Sequence, residues 1–321
     1  MTYKIAIPQP ITELGMEYLR ERGYEIIEGT GLTDYDTLKQ LLANADGLLA
    51  RTADYPKEVL SAAKKLKVIG RFGVGTDNLD LEYCRQNGIW VAIAPEANSN
   101  AVAEHTIGLI MATARQFVQM DKLTRMGNWE ARNANKGRDV SGKVLGLIGM
   151  GRIGSLVAQK AALGLSMKVI VYDPYLDLNK VPEYVSTVKS MDEILSQADF
   201  ISTHLPATNE TKNMVNKAFF SKMKNTAYFI NCARGSIVDE GSLYWALSNK
   251  IIAGAACDVF QKEPASKENP LFSLDNIIVS PHNAALTFET MDSMGLEASM
   301  AIDNVLNNCE PKYPVVSHKY I

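Results

Sequence analysis

Val144-Leu145-Gly146-Leu147-Ile148-Gly149-Met150-Gly151-Arg152-Ile153-Gly154 is the stretch whose reading decides the fold. An apolar run rich in β-formers leads into Gly149, Gly151 and Gly154, and apolar positions then recur at helical spacing through Leu156, Val157 and Ala161. That is a strand, a tight turn and the first turn of a helix. In a G-x-G-x-x-G pattern the first glycine makes the turn, the second lets backbone N–H groups approach a pyrophosphate, and the third lets helix and strand pack closely. The positive end of the helix then faces the phosphates. Glycine turns between strand and helix are common in doubly wound sheets, so the next strand carries weight. Lys168-Val169-Ile170-Val171-Tyr172 ends in Asp173, at the spacing of about 20 residues where a carboxylate accepts the ribose hydroxyls of an adenosine. Pro174, Tyr175 and Leu176 follow, with no Arg or Lys to hold a 2′-phosphate. The expected cofactor is NAD rather than NADP.

Outward from this unit, 321 residues are too many for one average domain, and 46% hydrophobic content supplies ample core. The β-then-α rhythm occurs twice, before residue 100 and after residue 140. The expectation is an α/β chain with two Rossmann-like doubly wound parallel-sheet domains. The balance of 33 basic and 36 acidic residues, net −3, offers no electrostatic footprint for nucleic acid or an anionic membrane. Cys84, Cys232, Cys257 and Cys309 are widely spaced without a C-x-x-C pair, so neither a disulfide frame nor a metal site is suggested. They read as thiols of a cytoplasmic protein. The N-terminus reads as a strand rather than a signal peptide, and no apolar run reaches membrane-spanning length.

In the first half, strands are expected at 4–8, 24–28, 47–50, 66–69 and 90–95, with helices at 11–22, 34–43 and 56–64. The run Gly70-Arg71-Phe72-Gly73-Val74-Gly75-Thr76-Asp77-Asn78 reads either as an anion-binding nest of backbone N–H groups or as a plain strand-to-helix turn. Arg51, at the end of the third strand, either faces the same cleft or is an ordinary surface arginine. Residues 100–122 read as one helix, nearly apolar all round in its first half and therefore buried. Its small residues Ala101, Ala103, Gly108, Ala112 and Ala114 would permit a close helix crossing, expected across a homodimer axis over 101–122, with burial inside the chain as the alternative.

The second half gives later strands at 200–203, 227–231, 253–256 and 277–280, then a helix at 288–307 with no strand after it. Parallel sheets present ligand-facing residues at the carboxyl ends of their strands. That rule singles out His204-Leu205-Pro206, Cys232-Ala233-Arg234, Asp258 and Pro281-His282. His318 lies in a polar tail and His105 inside a helix, so neither stands at a strand end. His204 reads as a cofactor-wall residue or as a hydrogen-bonded loop histidine. His282 has company in Arg234 and Glu263, which also follow strand ends. Reducing an α-keto acid requires a cation for the carboxylate, a proton donor for the carbonyl oxygen and a hydride. Arg234, His282 and NADH would supply these, with Glu263 favouring the imidazolium.

The chain resembles the D-isomer-specific 2-hydroxyacid dehydrogenase family over essentially its whole length. The resemblance rests on Gly73-Val74-Gly75-Thr76-Asp77-Asn78-Leu79-Asp80, on Val144 to Gly154, on Asn231-Cys232-Ala233-Arg234-Gly235, on Asp258-Val259-Phe260-Gln261-Lys262-Glu263-Pro264 and on Ser280-Pro281-His282-Asn283-Ala284-Ala285. It implies a discontinuous substrate domain (1–99 and 287–321), an NAD-binding domain (100–286), a cleft between them, and usually a homodimer. Hinges are expected at 98–100 and 285–287. By resemblance, Arg234 binds substrate, Glu263 partners the histidine and His282 is the acid/base. Arg152 and Ile153 lie on the pyrophosphate beside Gly149, Gly151 and Gly154, and Asp173 lies on the ribose. Leu205 and Pro206 lie beside the adenosine, and Cys232, Ala233 and Asp258 near the nicotinamide. Val74 and Gly75 meet the substrate carboxylate.

Within the family, Arg51 and the motif around Arg71 most resemble the phosphoglycerate dehydrogenase branch, here ending at Ile321 without a regulatory domain. Asn283-Ala284-Ala285 stands where some glyoxylate and hydroxypyruvate reductases carry a tryptophan, yet hydroxypyruvate, glyoxylate or a larger 2-keto acid remain open alternatives. Two readings from other classes compete. An NAD-sensing interaction protein would need no acid/base pair, and an adenosylmethionine-dependent methyltransferase would leave Arg234, Glu263 and His282 unexplained.

Overall fold

Continuous apolar runs in this chain become strands buried on both faces, the pattern of parallel sheets covered by helices. A computed structural model describes residues 2–318. Its strands are β1 (Lys4–Ile7), β2 (Glu25–Glu28), β3 (Gly47–Ala50), β4 (Val68–Arg71), β5 (Trp90–Ala92), β6 (Val144–Ile148), β7 (Lys168–Tyr172), β8 (Val185–Thr187), β9 (Phe200–Thr203), β10 (Tyr228–Asn231), β11 (Gly254–Cys257), β12 (Ile277–Val279) and β13 (Pro314–Val316). The fold is α/β. The chain divides into two compact units, Met1–Asn98 with Leu286–Ile321, and Ser99–Ala285. Met1 and residues 319–321 of the expected substrate domain lie outside the described residues.

The first unit holds a six-stranded sheet in the order β13-β5-β4-β3-β1-β2, parallel except for β13, which runs antiparallel to β5. That edge strand corrects the expectation that no strand follows the last helix, observed at Phe288–Leu306. Pairing also corrects the fourth strand. Its register is set by β3, Gly47 opposite Val68 through Ala50 opposite Arg71, so it runs two residues later than the apolar pattern alone suggests. The helix expected at 56–64 shortens to Lys57–Leu60, because the chain tightens into i→i+3 bonds from Ala62 N–H to Val59 O and from Ala63 N–H to Leu60 O.

The second unit holds a seven-stranded parallel sheet in the order β12-β11-β10-β9-β6-β7-β8. Successive side chains sort to opposite faces, as period two requires. Leu145, Leu147, Phe200, Tyr228 and Ile230 pack on one face with the helix Ser99–Arg115. Ile148, Ile201, Phe219, Phe220 and Phe229 pack on the other, where the Phe220 and Phe229 rings meet edge to face at 5.6 Å. Strand order reverses between β6 and β9, and the carboxyl ends at such a switch point form the ligand crevice of open α/β sheets.

Residues 100–122 are not one helix. Helix Ser99–Arg115 ends at Gln116, whose φ of 55° is left-handed, and a second helix, Phe117–Arg125, follows. The first is buried by its own unit through Val102, Leu109, Ile110 and Ala114. The second buries none of its residues and leaves Phe117 and Val118 exposed. Those apolar residues of the first helix are thus covered inside the chain, while Gly108, with nothing within 4 Å of its Cβ position, lies on a face left open.

Candidate active site

The turn after β6 is built by close approach. Gly149 has φ +95°, and a Cβ there would stand 2.6 Å from the His204 carbonyl oxygen at the end of β9. A Cβ on Gly154 would stand 2.4 Å from Gly149 O, so helix Arg152–Gln159 can pack onto the turn only through glycine. Gly151 differs: nothing lies within 4 Å of its Cβ position. It forms the N-cap of the helix without a side-chain cap, so the start of the helix at this position is open to a ligand. Arg152 and Ile153 open the helix. Asp173, at the end of β7, accepts Met150 N–H on Oδ2 and Tyr175 N–H on Oδ1, both at 2.9 Å. Each oxygen keeps a second lone-pair direction. Leu205 and Pro206 follow β9, and Pro206 O accepts the Thr211 hydroxyl at 2.7 Å.

Beyond β10, buried Asn231 shapes the next loop. Its Oδ1 accepts Thr203 Oγ1 and Ala233 N–H at 3.0 Å each, and its Nδ2 donates to Arg234 O at 3.0 Å. Cys232 and Ala233 are thereby held in a tight turn that places Arg234. Burial pushes the Cys232 thiol up to about 12, so it stays protonated. Gly235 packs so closely on the next loop that a Cβ would lie 1.9 Å from Phe260 C and O. Phe260 N–H donates to Glu263 Oε1 at 2.9 Å, and Glu263 Oε2 meets His282 Nδ1 at 2.6 Å. Burial raises the Glu263 pKa, but the His282 and Phe260 hydrogen bonds and the charges of His282 and Arg234 outweigh it and hold it below the ordinary value.

His282 itself has a left-handed φ of 51°. Asp258, fully buried, holds it there. The His282 N–H donates to Asp258 O at 2.7 Å, and the Asn283 and Ala284 N–H groups donate to Asp258 Oδ1 and Oδ2 at 3.0 Å each. Ser280 Oγ donates to Oδ1 at 2.6 Å. Arg234, Glu263, His282 and Asp258 thus come together at the carboxyl ends of β10, β11 and β12, within one unit.

Sequence reasoning does not single out Asn231, Ser280 or His105. A polar residue closing a buried strand is the signal that finds Asn231. His105, within a helix rather than at a strand end, reaches Ser280 Oγ at 3.2 Å. His204 is the hydrogen-bonded loop histidine: its Nε2 lies 3.0 Å from Ser202 Oγ, and burial pushes its pKa down to about 4.

In the first unit, Arg51 donates through Nη1 to Pro10 O and lies 5.0 Å over the Phe72 ring. Arg71 braces the glycine loop, its Nε donating to Gly75 O at 2.7 Å and its Nη1 to Phe72 O. Val74 and Gly75 N–H have no backbone acceptor among the described residues. No group of three or more His, Cys, Asp and Glu suited to a metal occurs among the described residues.

The model of the D-isomer-specific 2-hydroxyacid dehydrogenase NAD-binding domain matches residues 107–284. The chain belongs to the D-isomer-specific 2-hydroxyacid dehydrogenases, a family of oxidoreductases. It is 37% identical to D-3-phosphoglycerate dehydrogenase of Archaeoglobus fulgidus over 94% of this chain, and spans 57% of that relative's length. A Staphylococcus saprophyticus protein assigned to the 2-hydroxyacid dehydrogenases is 38% identical over 97% of this chain and 99% of its own. Among solved structures, the TT0316 protein of Thermus thermophilus superposes with a TM-score of 0.91 at 34% identity, covering 98% of this chain and 100% of its own. D-lactate dehydrogenase of Aquifex aeolicus, complexed with NAD and lactic acid, gives 0.86 at 28% identity, covering 99% and 100%. An NADPH-dependent glyoxylate/hydroxypyruvate reductase of Sinorhizobium meliloti gives 0.88 at 26%, covering 100% of both chains. No helix among the described residues is long and apolar enough to cross a membrane.

Proposed function

We propose that this chain reduces the carbonyl of a 2-keto acid to a D-2-hydroxy acid with NADH, and catalyses the reverse oxidation. The observation that carries the reading is the 2.6 Å bond between Glu263 Oε2 and His282 Nδ1 beside the charge of Arg234. Arg234 holds the substrate carboxylate, because a guanidinium fork donates in parallel and stays charged. His282 donates a proton from Nε2 to the carbonyl oxygen, while Glu263 on Nδ1 fixes the tautomer and stabilises the imidazolium. The positive charge also favours alkoxide character as the hydroxyl forms. In the oxidation direction His282 takes the hydroxyl proton. The nicotinamide cofactor, when bound, supplies or accepts the hydride.

The open space at Gly151 and the spare lone pairs of Asp173 fit a dinucleotide. Arg152 and Ile153 would lie along its pyrophosphate, Leu205 and Pro206 beside its adenosine, and Cys232, Ala233 and the turn held by Asp258 toward its nicotinamide. With Asp173 at the ribose and Pro174, Tyr175 and Leu176 after it, a 2′-phosphate meets repulsion and no cation, so NAD is the cofactor. Val74, Gly75 and Arg51 are the first unit's candidates for the substrate's anionic groups. The phosphoglycerate dehydrogenase relative makes 3-phosphohydroxypyruvate the first substrate to test, ahead of hydroxypyruvate, glyoxylate and larger 2-keto acids. The four cysteines form no disulfide among the described residues, which suits the reducing cytoplasm. The exposed helix after Gln116 is the proposed homodimer contact.

The test is loss of NADH absorbance across 3-phosphohydroxypyruvate, hydroxypyruvate, glyoxylate, pyruvate, 2-ketoisocaproate and phenylpyruvate. At least one is turned over by the wild type, and His282→Ala lowers that rate by about 10²-fold or more. Silence across the panel despite tight NADH binding would overturn the dehydrogenase reading in favour of a sensing role.

A further inference from the structure

We propose that His105 is a positioning residue for His282, acting from a distant helix through Ser280 and Asp258; the inference rests on the dehydrogenase reading above. The direction of each hydrogen bond follows from donor counting. An ionised carboxylate only accepts, so the single hydroxyl hydrogen of Ser280 goes to Asp258 Oδ1, 2.6 Å away. The Ser280 oxygen can then only accept from His105, whose Nε2 stands 3.2 Å off and must carry the proton. The same Nε2 lies 3.7 Å from Asp258 Oδ1, beyond hydrogen-bond distance, so Ser280 Oγ is the acceptor within reach. The order is therefore His105 N–H to Ser280, then Ser280 O–H to Asp258.

Asp258 passes this constraint to the catalytic turn. Its backbone oxygen takes the His282 N–H, and its two carboxylate oxygens take the Asn283 and Ala284 N–H groups. These bonds hold His282 at φ 51°, a conformation that costs a β-carbon residue energy and persists only where the surroundings over-determine it. Glu263 fixes the far side of the imidazole through Nδ1. The backbone of His282 is thus fixed by Asp258 and its ring by Glu263. His105 and Ser280 aim the Asp258 carboxylate, and none of the His105 contacts requires it to touch substrate.

The test compares His105→Leu, which removes the donor, with His105→Gln, which keeps an N–H at similar reach, alongside Ser280→Ala and the His105→Leu/Ser280→Ala double variant. Loosening a catalytic group by a fraction of an ångström predicts kcat down by about 10-fold or more for His105→Leu and Ser280→Ala, with the NADH dissociation constant within about twofold. His105→Gln recovers most of kcat. Because both residues act through one chain of bonds, the double variant is no worse than the poorer single one. Unchanged kcat in His105→Leu, failure of His105→Gln to rescue, or multiplying losses in the double variant would each overturn the proposal. If His105→Leu does not fold, Ser280→Ala carries the same comparison. A second readout needs no turnover. With only four histidines, 13Cε1-labelled protein gives a His282 resonance assignable from His282→Ala. It shifts in His105→Leu and Ser280→Ala and stays in place in His105→Gln. An unmoved resonance in the first two contradicts the relay even if no keto acid is turned over, which separates its failure from failure of the dehydrogenase reading.

Discussion

Glu263 does two jobs with two oxygens: Oε1 is pinned by the Phe260 N–H and Oε2 by His282. Glu263→Gln keeps the shape but removes the charge that stabilises the imidazolium, so we expect kcat to fall by about 10²-fold with KM for NADH little changed, measured by steady-state kinetics. The pKa direction adds a stability signature. A carboxyl held below its unfolded value contributes stability above that value and loses it as pH falls through the folded one. The stability difference between wild type and Glu263→Gln should therefore shrink in acid, read from denaturant midpoints. His204 gives a second acid signature with its own window. Its pKa is pushed by burial from 6.5 down to about 4, so its contribution is fully present above about 6.5 and is lost as pH falls toward 4. Titration of its 13Cε1 resonance should show it neutral at pH 5; a midpoint near 6.5 would contradict the burial argument.

At the scale of elements, glycines report which approaches the site requires. Gly151→Ala meets nothing within 4 Å in the chain itself, so it should leave the unfolding midpoint nearly unchanged while weakening NADH binding, measured by fluorescence titration. Gly235→Ala drives a methyl into the Phe260 backbone and should cost about 1–3 kcal/mol of stability, together with most of the activity, by displacing the loop that carries Glu263. Loss of stability in both, or NADH affinity unchanged in the first, would contradict the assignment of the turn. The same elements mark what the sequence made legible. β3, β6, β7 and β9 begin and end where their apolar runs do, because turn residues bound them sharply. β8 and β13 are three-residue edge strands, too short to carry a period, and Gln116 breaks a helix without any glycine or proline to announce it. Arg234, Glu263 and His282 were readable because each follows a strand end. His105 was not, because its reach to Ser280 depends on how one helix packs on its sheet.

For the whole molecule, the break at Gln116 changes where self-association is expected. Phe117, Val118, Met126 and Trp129 are 54%, 59%, 71% and 65% exposed, large apolar side chains available to a partner surface. Sedimentation equilibrium should give twice the 35.3 kDa chain mass, and Val118→Glu should give the monomer. A wild-type monomer at micromolar concentration would remove the dimer. Neither result bears on the chemistry, which is tested most directly by chiral chromatography of the product formed from NADH and the preferred 2-keto acid, with wild type and His282→Ala run side by side. Membership of the D-isomer-specific family predicts the D-2-hydroxy acid alone, and the roles of Arg234, Glu263 and His282 predict that His282→Ala forms it about 10²-fold or more slowly than the wild type. An L or racemic product, or undiminished D product from His282→Ala, would contradict it.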